Sequence, residues 1–205
     1  LYEANYWRTQ SNKKIISTGI IQKSLENKEQ SINQIRERIY EDIKRSFIQI
    51  NTQGERIGEV NGLSTIQVGE LEFGQPSRIS AVISAGDSEI IDIERESDLG
   101  GDIHTKGILI LNAYIKGKYA KQKSLPFSSS ITFEQNYMQI DGDSASLAEL
   151  CALLSAISKI PIKQDIAITG SVDQHGNVQA VGSINEKIEG FFSICKMKKL
   201  NTQQG

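Results

Sequence analysis

The chain is poor in the residues on which most catalytic and metal-binding devices depend. Among its 205 residues are only two histidines, His104 and His175, and two cysteines, Cys151 and Cys195. It contains no His-Glu-x-x-His and no Cys-x-x-Cys, so spacing offers no metal ligand set. Both cysteines fall among apolar neighbours in stretches of helical periodicity, which fits buried free thiols, a reducing cytoplasmic setting and no disulfide framework. Gly-x-x-x-x-Gly-Lys-[Ser/Thr] and a strand-linked Gly-x-Gly-x-x-Gly are both missing, which argues against ATP hydrolysis by this chain. No stretch approaches the roughly 18 apolar residues of a membrane span, and the first residues lack a basic-then-apolar targeting pattern. A dominant charge is missing too: at net −2 and pI near 5.8 there is no global electrostatic pull toward nucleic acid or an acidic membrane.

What is present is the composition of a globular protein, 38% hydrophobic and 23% charged, long enough for one domain or a domain plus part of a neighbour. Residues 1 to about 50 read as helical, with Ile32, Ile35, Ile39, Ile43 and Phe47 forming an apolar stripe. The turn-rich Asn51–Glu55 marks a domain boundary. From Gly58 the period shortens toward two: Val60, Leu63, Ile66 and Val68, then Ile79, Ala81 and Ile83, then Ile90, Ile91 and Ile93, separated by Gly74-Gln75-Pro76 and Ala85-Gly86-Asp87 turns. Residues 105–120 suit a helix on length, 121–130 a polar loop and 131–133 a strand. Leu147, Leu150, Cys151, Leu154 and Ile157 predict an amphipathic helix ended by Lys159 and Pro161. A strand over 165–172, a turn over 173–177 and a strand over 178–181 follow. A last helix begins near Asn185, with Ile188, Phe191, Phe192 and Cys195 as its apolar face. Ser146-x-x-Glu149 and Ser183-x-x-Glu186 read as capping boxes. The class is α+β, short mixed sheets with packed helices preceded by a short all-helical segment. The first residues look like mid-domain sequence and Asn201–Gly205 carries no ending device, the expectation for a fragment cut at both ends.

The chemistry concentrates at Asp141-Gly142-Asp143-Ser144, a turn that opens a helix. Gly142 can take φ > 0 there, and a serine at such a turn meets unpaired backbone N–H groups suited to an oxyanion. Two readings stand, a helix cap and a nucleophile. A nucleophilic serine needs a base. His175 sits at a hairpin tip and His104 follows Gly-Gly-Asp, neither with a visible triad partner. Lys187, just inside a helix start where the macrodipole disfavours a cation, is a second candidate base. It could equally pair with Glu186 or Glu189 or point into water. Ser193-x-x-Lys196 and Ser11-x-x-Lys14 look accidental, without Ser-Asp-Asn or Lys-Thr-Gly companions.

Taken together and in order, Val60-Asn-Gly-Leu63, Phe73-Gly-Gln-Pro-Ser-Arg78, Asp92-Ile-Glu-Arg-Glu96, Phe133-Glu-Gln-x-Tyr137, Asp141-Gly-Asp-Ser144-Ala-Ser146, Thr169-Gly170 and Asn185-Glu-Lys187-Ile-Glu-Gly-Phe-Phe192 resemble the proteolytic domain of Lon proteases, in its Gly-Asp-Ser-Ala-Ser form. The resemblance runs from about Gly58 to the C-terminus. It implies a Ser-Lys dyad, with Ser144 the nucleophile, Lys187 the general base, Thr169 a hydrogen-bonding partner near the lysine and Asp143 an acidic neighbour of the serine. It also implies that residues 1–50 resemble the end of an AAA+ helical subdomain. Residues 51–205 would be the proteolytic domain, truncated at its C-terminus. Relatives of this kind form homo-oligomers, as hexamers, and degrade misfolded or unfolded polypeptides. The ATP and Mg they use belong to an ATPase module this chain lacks, which leaves no cofactor here. The other reading is a catalytically silent assembly domain of the same family.

Overall fold

The computed structural model describes residues 1–69, 71–86, 88–120, 123, 125–199 and 204–205; the side chains of residues 28, 29, 31, 32 and 71 lie outside the described set. Expectations resting on Ile32, Asp87, Lys121 and residues 201–203 therefore lie outside the described residues. Helices α1 (Tyr2–Gln10) and α2 (Thr18–Lys44) form the helical beginning. They are followed by β1 (Glu55–Arg56), β2 (Glu59–Val68), β3 (Leu71–Ser84), β4 (Ile90–Asp92), α3 (Ile93–Glu96), α4 (Asp102–Tyr119) and β5 (Ser128–Phe133). Then come α5 (Ser146–Ser158), β6 (Ile162–Lys163), β7 (Ala167–Ile168), β8 (Ser171–Val172), β9 (Val178–Gln179) and α6 (Ile184–Met197). The α+β class expected from the alternating periods is what the chain adopts.

The main sheet has five strands in the order β4-β5-β3-β2-β7, antiparallel except for the parallel β2/β7 and β4/β5 pairs. Alternation on β5 buries Ser129, Ile131 and Phe133, and the core gathers Val60, Ile79, Leu111, Ile115 and Leu153 from strands and helices alike. Each such aliphatic side chain contributes about 1.5–3 kcal/mol by leaving water.

Several local expectations fail for tertiary reasons. Gly74-Gln75-Pro76 is no turn but lies inside the long strand β3, where Pro76 pairs with Leu63. Proline is tolerated because β5 covers β3 only from Ile79 to Ser84, so residue 76 has an open edge with no ladder bond to lose. Ile93 starts helix α3 instead of continuing a strand. The C-terminal part of α2 packs through Ile39, Tyr40 and Ile43 against Ile50 and Ile194 of α6, while its N-terminal part packs on α1, with Ile20 buried and Lys23 Nζ 4.1 Å from the centre of the Trp7 ring. Ile35 is exposed, and Phe47 lies past the helix end and is 67% exposed. Helix α5 is not amphipathic about the predicted stripe: Ala148, Glu149, Leu150, Ala152 and Leu153 are buried while Leu147, Cys151, Leu154 and Ile157 are half-buried, because the helix runs through the centre of the domain.

Both capping boxes are absent. Ser146 Oγ accepts the Val172 N–H, Ser183 Oγ donates to Glu72 Oε1, and neither helix start has a side-chain cap. The expected strand over 165–172 is interrupted at Thr169-Gly170. There the backbone turns to the start of α5 instead, with Gly170 N–H donating to Ser144 O and Leu147 N–H to Gly170 O.

Candidate active site

The turn before α5 carries Ser144 on a backbone held from both sides. Gly142 takes φ 93°, as its sequence position predicts. Asp141 Oδ1 accepts the N–H groups of Ile103 and His104, so it caps α4 from a distant segment, and those bonds lower its carboxyl pKa along with a larger contribution from the Gly142 N–H. On the other side, Ser144 O accepts from Gly170 N–H at 2.8 Å and from Thr169 Oγ1 at 3.2 Å. Asp143 turns its carboxylate to Ser171, whose hydroxyl donates to Oδ2 at 2.8 Å, and so fixes the turn to β8. Among the described residues, the N–H groups of Asp143, Ser144 and Ala145 donate no hydrogen bond, leaving donors beside the hydroxyl.

Lys187 reaches this turn from the first turn of α6. Its Nζ lies 3.1 Å from Ser144 Oγ and 3.1 Å from Thr169 Oγ1. The residue is 4% exposed, and burial pushes the amine below the ordinary lysine range, partly countered by the carboxylate of Glu72. Neither Glu186 nor Glu189 pairs with it among the described residues, so the ion-pair alternative does not hold. The dominant cause of the lowered pKa is desolvation, which sequence position alone did not reveal.

Two glycines bring α6 close enough for this reach. An added Cβ on Gly190 would lie 2.3 Å from Gly74 O, and one on Gly74 would lie 1.9 Å from Glu186 O. The helix and β3 therefore touch backbone to backbone, and Tyr40 Oη donates to Gly74 O at 2.7 Å from the α2 side. A glycine in the interior of a strand and another inside a helix were the available sequence signal for such an approach. On the open side lies a cleft of about 150 Å³ lined by Ser64, Ile66, Gln75, Met138, Ser144 and Lys187 among others.

Neither histidine joins the site. His175 is exposed in the turn between β8 and β9, and the ring of His104 meets Asp92, Glu149 and Phe133 in the interior. Ser193 and Lys196 stay within α6. In comparison with known proteins, residues 43–191 match the model of the Lon protease (S16) C-terminal proteolytic domain. The chain belongs to this family. A putative Lon protease homolog of Escherichia coli is 53% identical over 171 residues, covering 82% of this chain and 29% of that protein. A putative Lon protease homolog of Haemophilus influenzae is 49% identical over 83% of the chain and 29% of its own length. The archaeal Lon protease of Methanocaldococcus jannaschii is 34% identical over 86% of the chain and 27% of its own length. The chain thus spans under a third of the Lon relatives it matches.

The α6 face holds one more correction. Phe191 and Cys195 are buried as expected, but Ile188 and Phe192 are 59% and 53% exposed. They border an apolar groove of about 480 Å³ with Ile184, Leu63 and Ala167.

Proposed function

We propose that this Lon-type domain is a serine endopeptidase acting through a Ser144–Lys187 dyad. The observation that carries the reading is the 3.1 Å separation of Ser144 Oγ from a buried Lys187 amine. Thr169 sets the polarity of the contact. Its single O–H proton goes to Ser144 O, so its oxygen accepts from Lys187, and the lone pair of a neutral lysine is left for the serine proton.

In the reaction, Ser144 Oγ bonds to the scissile carbonyl carbon while its proton passes to Lys187 Nζ and the carbonyl electron pair moves onto oxygen. The uncommitted N–H groups of Asp143, Ser144 and Ala145 receive that oxyanion. Collapse expels the amine, which takes the proton from the Lys187 ammonium. Water then attacks the ester and gives a proton to the same lysine, and a second collapse returns it to Ser144. Asp143 acts by holding the turn through Ser171.

Residues 1–50 then serve as the end of an ATPase helical subdomain and residues 51–205 as the proteolytic unit. In the whole protein, a hexameric and cytoplasmic assembly would use ATP and Mg in its motor module to deliver misfolded or unfolded chains, and the present chain would cleave the polypeptides that reach the cleft. No described helix is long and apolar enough to cross a membrane. Lys187→Arg tests the dyad, because a guanidinium keeps its charge and cannot take the serine proton. Cleavage of an unfolded fluorogenic peptide should disappear in that variant. Retained cleavage removes lysine as the base, and a folded but wholly inactive parent chain leaves the silent assembly domain.

A further inference from the structure

Beneath the Ser144 turn lies a second polar centre that the proposed reaction does not use. Asp92 at the end of β4, Glu94 on α3, His104 on α4 and Glu149 on α5 meet in the interior, each no more than 3% exposed. Both oxygens of Asp92, Oε2 of Glu94, Nε2 of His104 and Oε1 of Glu149 have no hydrogen-bond partner among the described residues. Buried polar atoms are nearly always satisfied, and five without a hydrogen bond on four neighbouring ionisable groups leave room for a further positive charge beside His104. One donor atom each from Asp92, Glu94 and His104 lies within 4.8 Å of the others. His104 Nε2 and Asp92 Oδ2 are 3.2 Å apart, an ion-pair distance for a protonated imidazole and equally the spacing of two ligands on one ion. With metal–ligand bonds of about 2.1 Å, that separation subtends about 100°, close to a tetrahedral edge.

We propose that Asp92, Glu94 and His104, with Glu149 as fourth donor, bind one divalent transition-metal ion of the Zn²⁺ type. With the three carboxylates ionised and the imidazole neutral, a divalent cation reduces the buried charge from −3 to −1. The donor set selects the ion, since a nitrogen among carboxylates suits Zn²⁺ and its neighbours, while Mg²⁺ and Ca²⁺ prefer oxygen alone. Glu94 is already oriented, because its other oxygen accepts from Thr132 Oγ1 at 3.0 Å and Phe133 N–H at 2.8 Å. Glu149 Oε1 stands 3.9 Å from His104 Nε2. Since a tetrahedral edge is about 3.4 Å, it closes by about 0.5 Å on binding. Burial of every donor makes the site closed, hence structural and not catalytic. The ion would clamp the β4–α3 corner to α4 and α5. Those helices flank the nucleophile turn, since the His104 N–H already holds Asp141 and α5 follows Ser144 directly.

The test is metal retention by the 205-residue chain, stripped with chelator, incubated with Zn²⁺ and gel-filtered before elemental analysis. The expected result is one equivalent bound, with a melting temperature raised by roughly 5–10 °C at a hundredfold excess over Kd. Asp92→Asn, which keeps the shape and removes the ligand charge, should lose both. No retained Zn²⁺ and no shift in the parent chain overturns the site and leaves protons as the compensating charge. Full retention by a folded Asp92→Asn overturns the ligand assignment. Should that variant not fold, Co²⁺ in the parent chain decides: tetrahedral ligand-field bands without thiolate charge transfer support the site, and thiolate bands place the metal on cysteine and overturn it.

Discussion

Replacing Thr169 with valine removes one hydroxyl and little volume, which isolates the donor–acceptor arrangement around Lys187. That hydroxyl donates to Ser144 O and accepts from Lys187 Nζ. Ser144 O keeps the Gly170 N–H at 2.8 Å, so no acceptor is orphaned there. Lys187 loses one of its two partners and gains freedom to turn its lone pair away from Ser144. At about 0.5–1.5 kcal/mol for each of two bonds, the loss is about 1–3 kcal/mol, or roughly a 5- to 150-fold fall in kcat/KM. A fluorogenic unfolded peptide gives the rate, and a thermal melt run beside it separates catalysis from stability. Thr169→Ser, which restores the hydroxyl, should return to within a few-fold of the parent. Equal kcat/KM for Thr169→Val and the parent chain would refute the reasoning that Thr169 orients the lysine.

Three other outcomes follow from the same geometry. Because the base must be neutral and burial places the Lys187 pKa below its ordinary 10.5, kcat/KM should rise as pH increases through that lowered pKa and fall on the acid side; a flat profile across a range where the fold persists would contradict it. Gly190→Ala gains about 1 kcal/mol of helix propensity but sets a Cβ 2.3 Å from Gly74 O, an overpacking cost of typically about 1–3 kcal/mol, so a lowered melting temperature and a weakened dyad are expected in melts and peptide assays. Iodoacetamide should leave activity intact, since Cys195 is buried with its thiol pushed up to about 11 and burial also raises that of Cys151; inactivation by native-state alkylation would implicate a thiol.

Much of this architecture can be traced to local sequence. Gly142 at a turn and the 3.6-residue spacing from Thr105 are each set by residues within a few positions, and α5 and α6 begin close to where their apolar spacing places them. Ser144 and Lys187 were nominated by an ordered set of motifs; spacing alone left one as a cap and the other as a surface lysine. The failures share a cause, which is that a partner distant in sequence took a group that a local rule had reserved. Val172 takes the hydroxyl of Ser146, Glu72 takes that of Ser183, and the α5 start takes the backbone of Gly170 out of its strand. Pro76 read as punctuation because the open edge of β3 is a property of the sheet. The Asp92–Glu94–His104 centre escaped notice because its residues arrive from separate elements, with no spacing to announce them.

The pairing of Ser144 with Lys187 is tested most directly by a fluorophosphonate probe followed by peptide mapping of the labelled chain. The account predicts a single adduct on Ser144 in the parent chain and none, under the same conditions, in a folded Lys187→Met variant. An adduct on another serine, or undiminished labelling of Ser144 without the lysine, would contradict it.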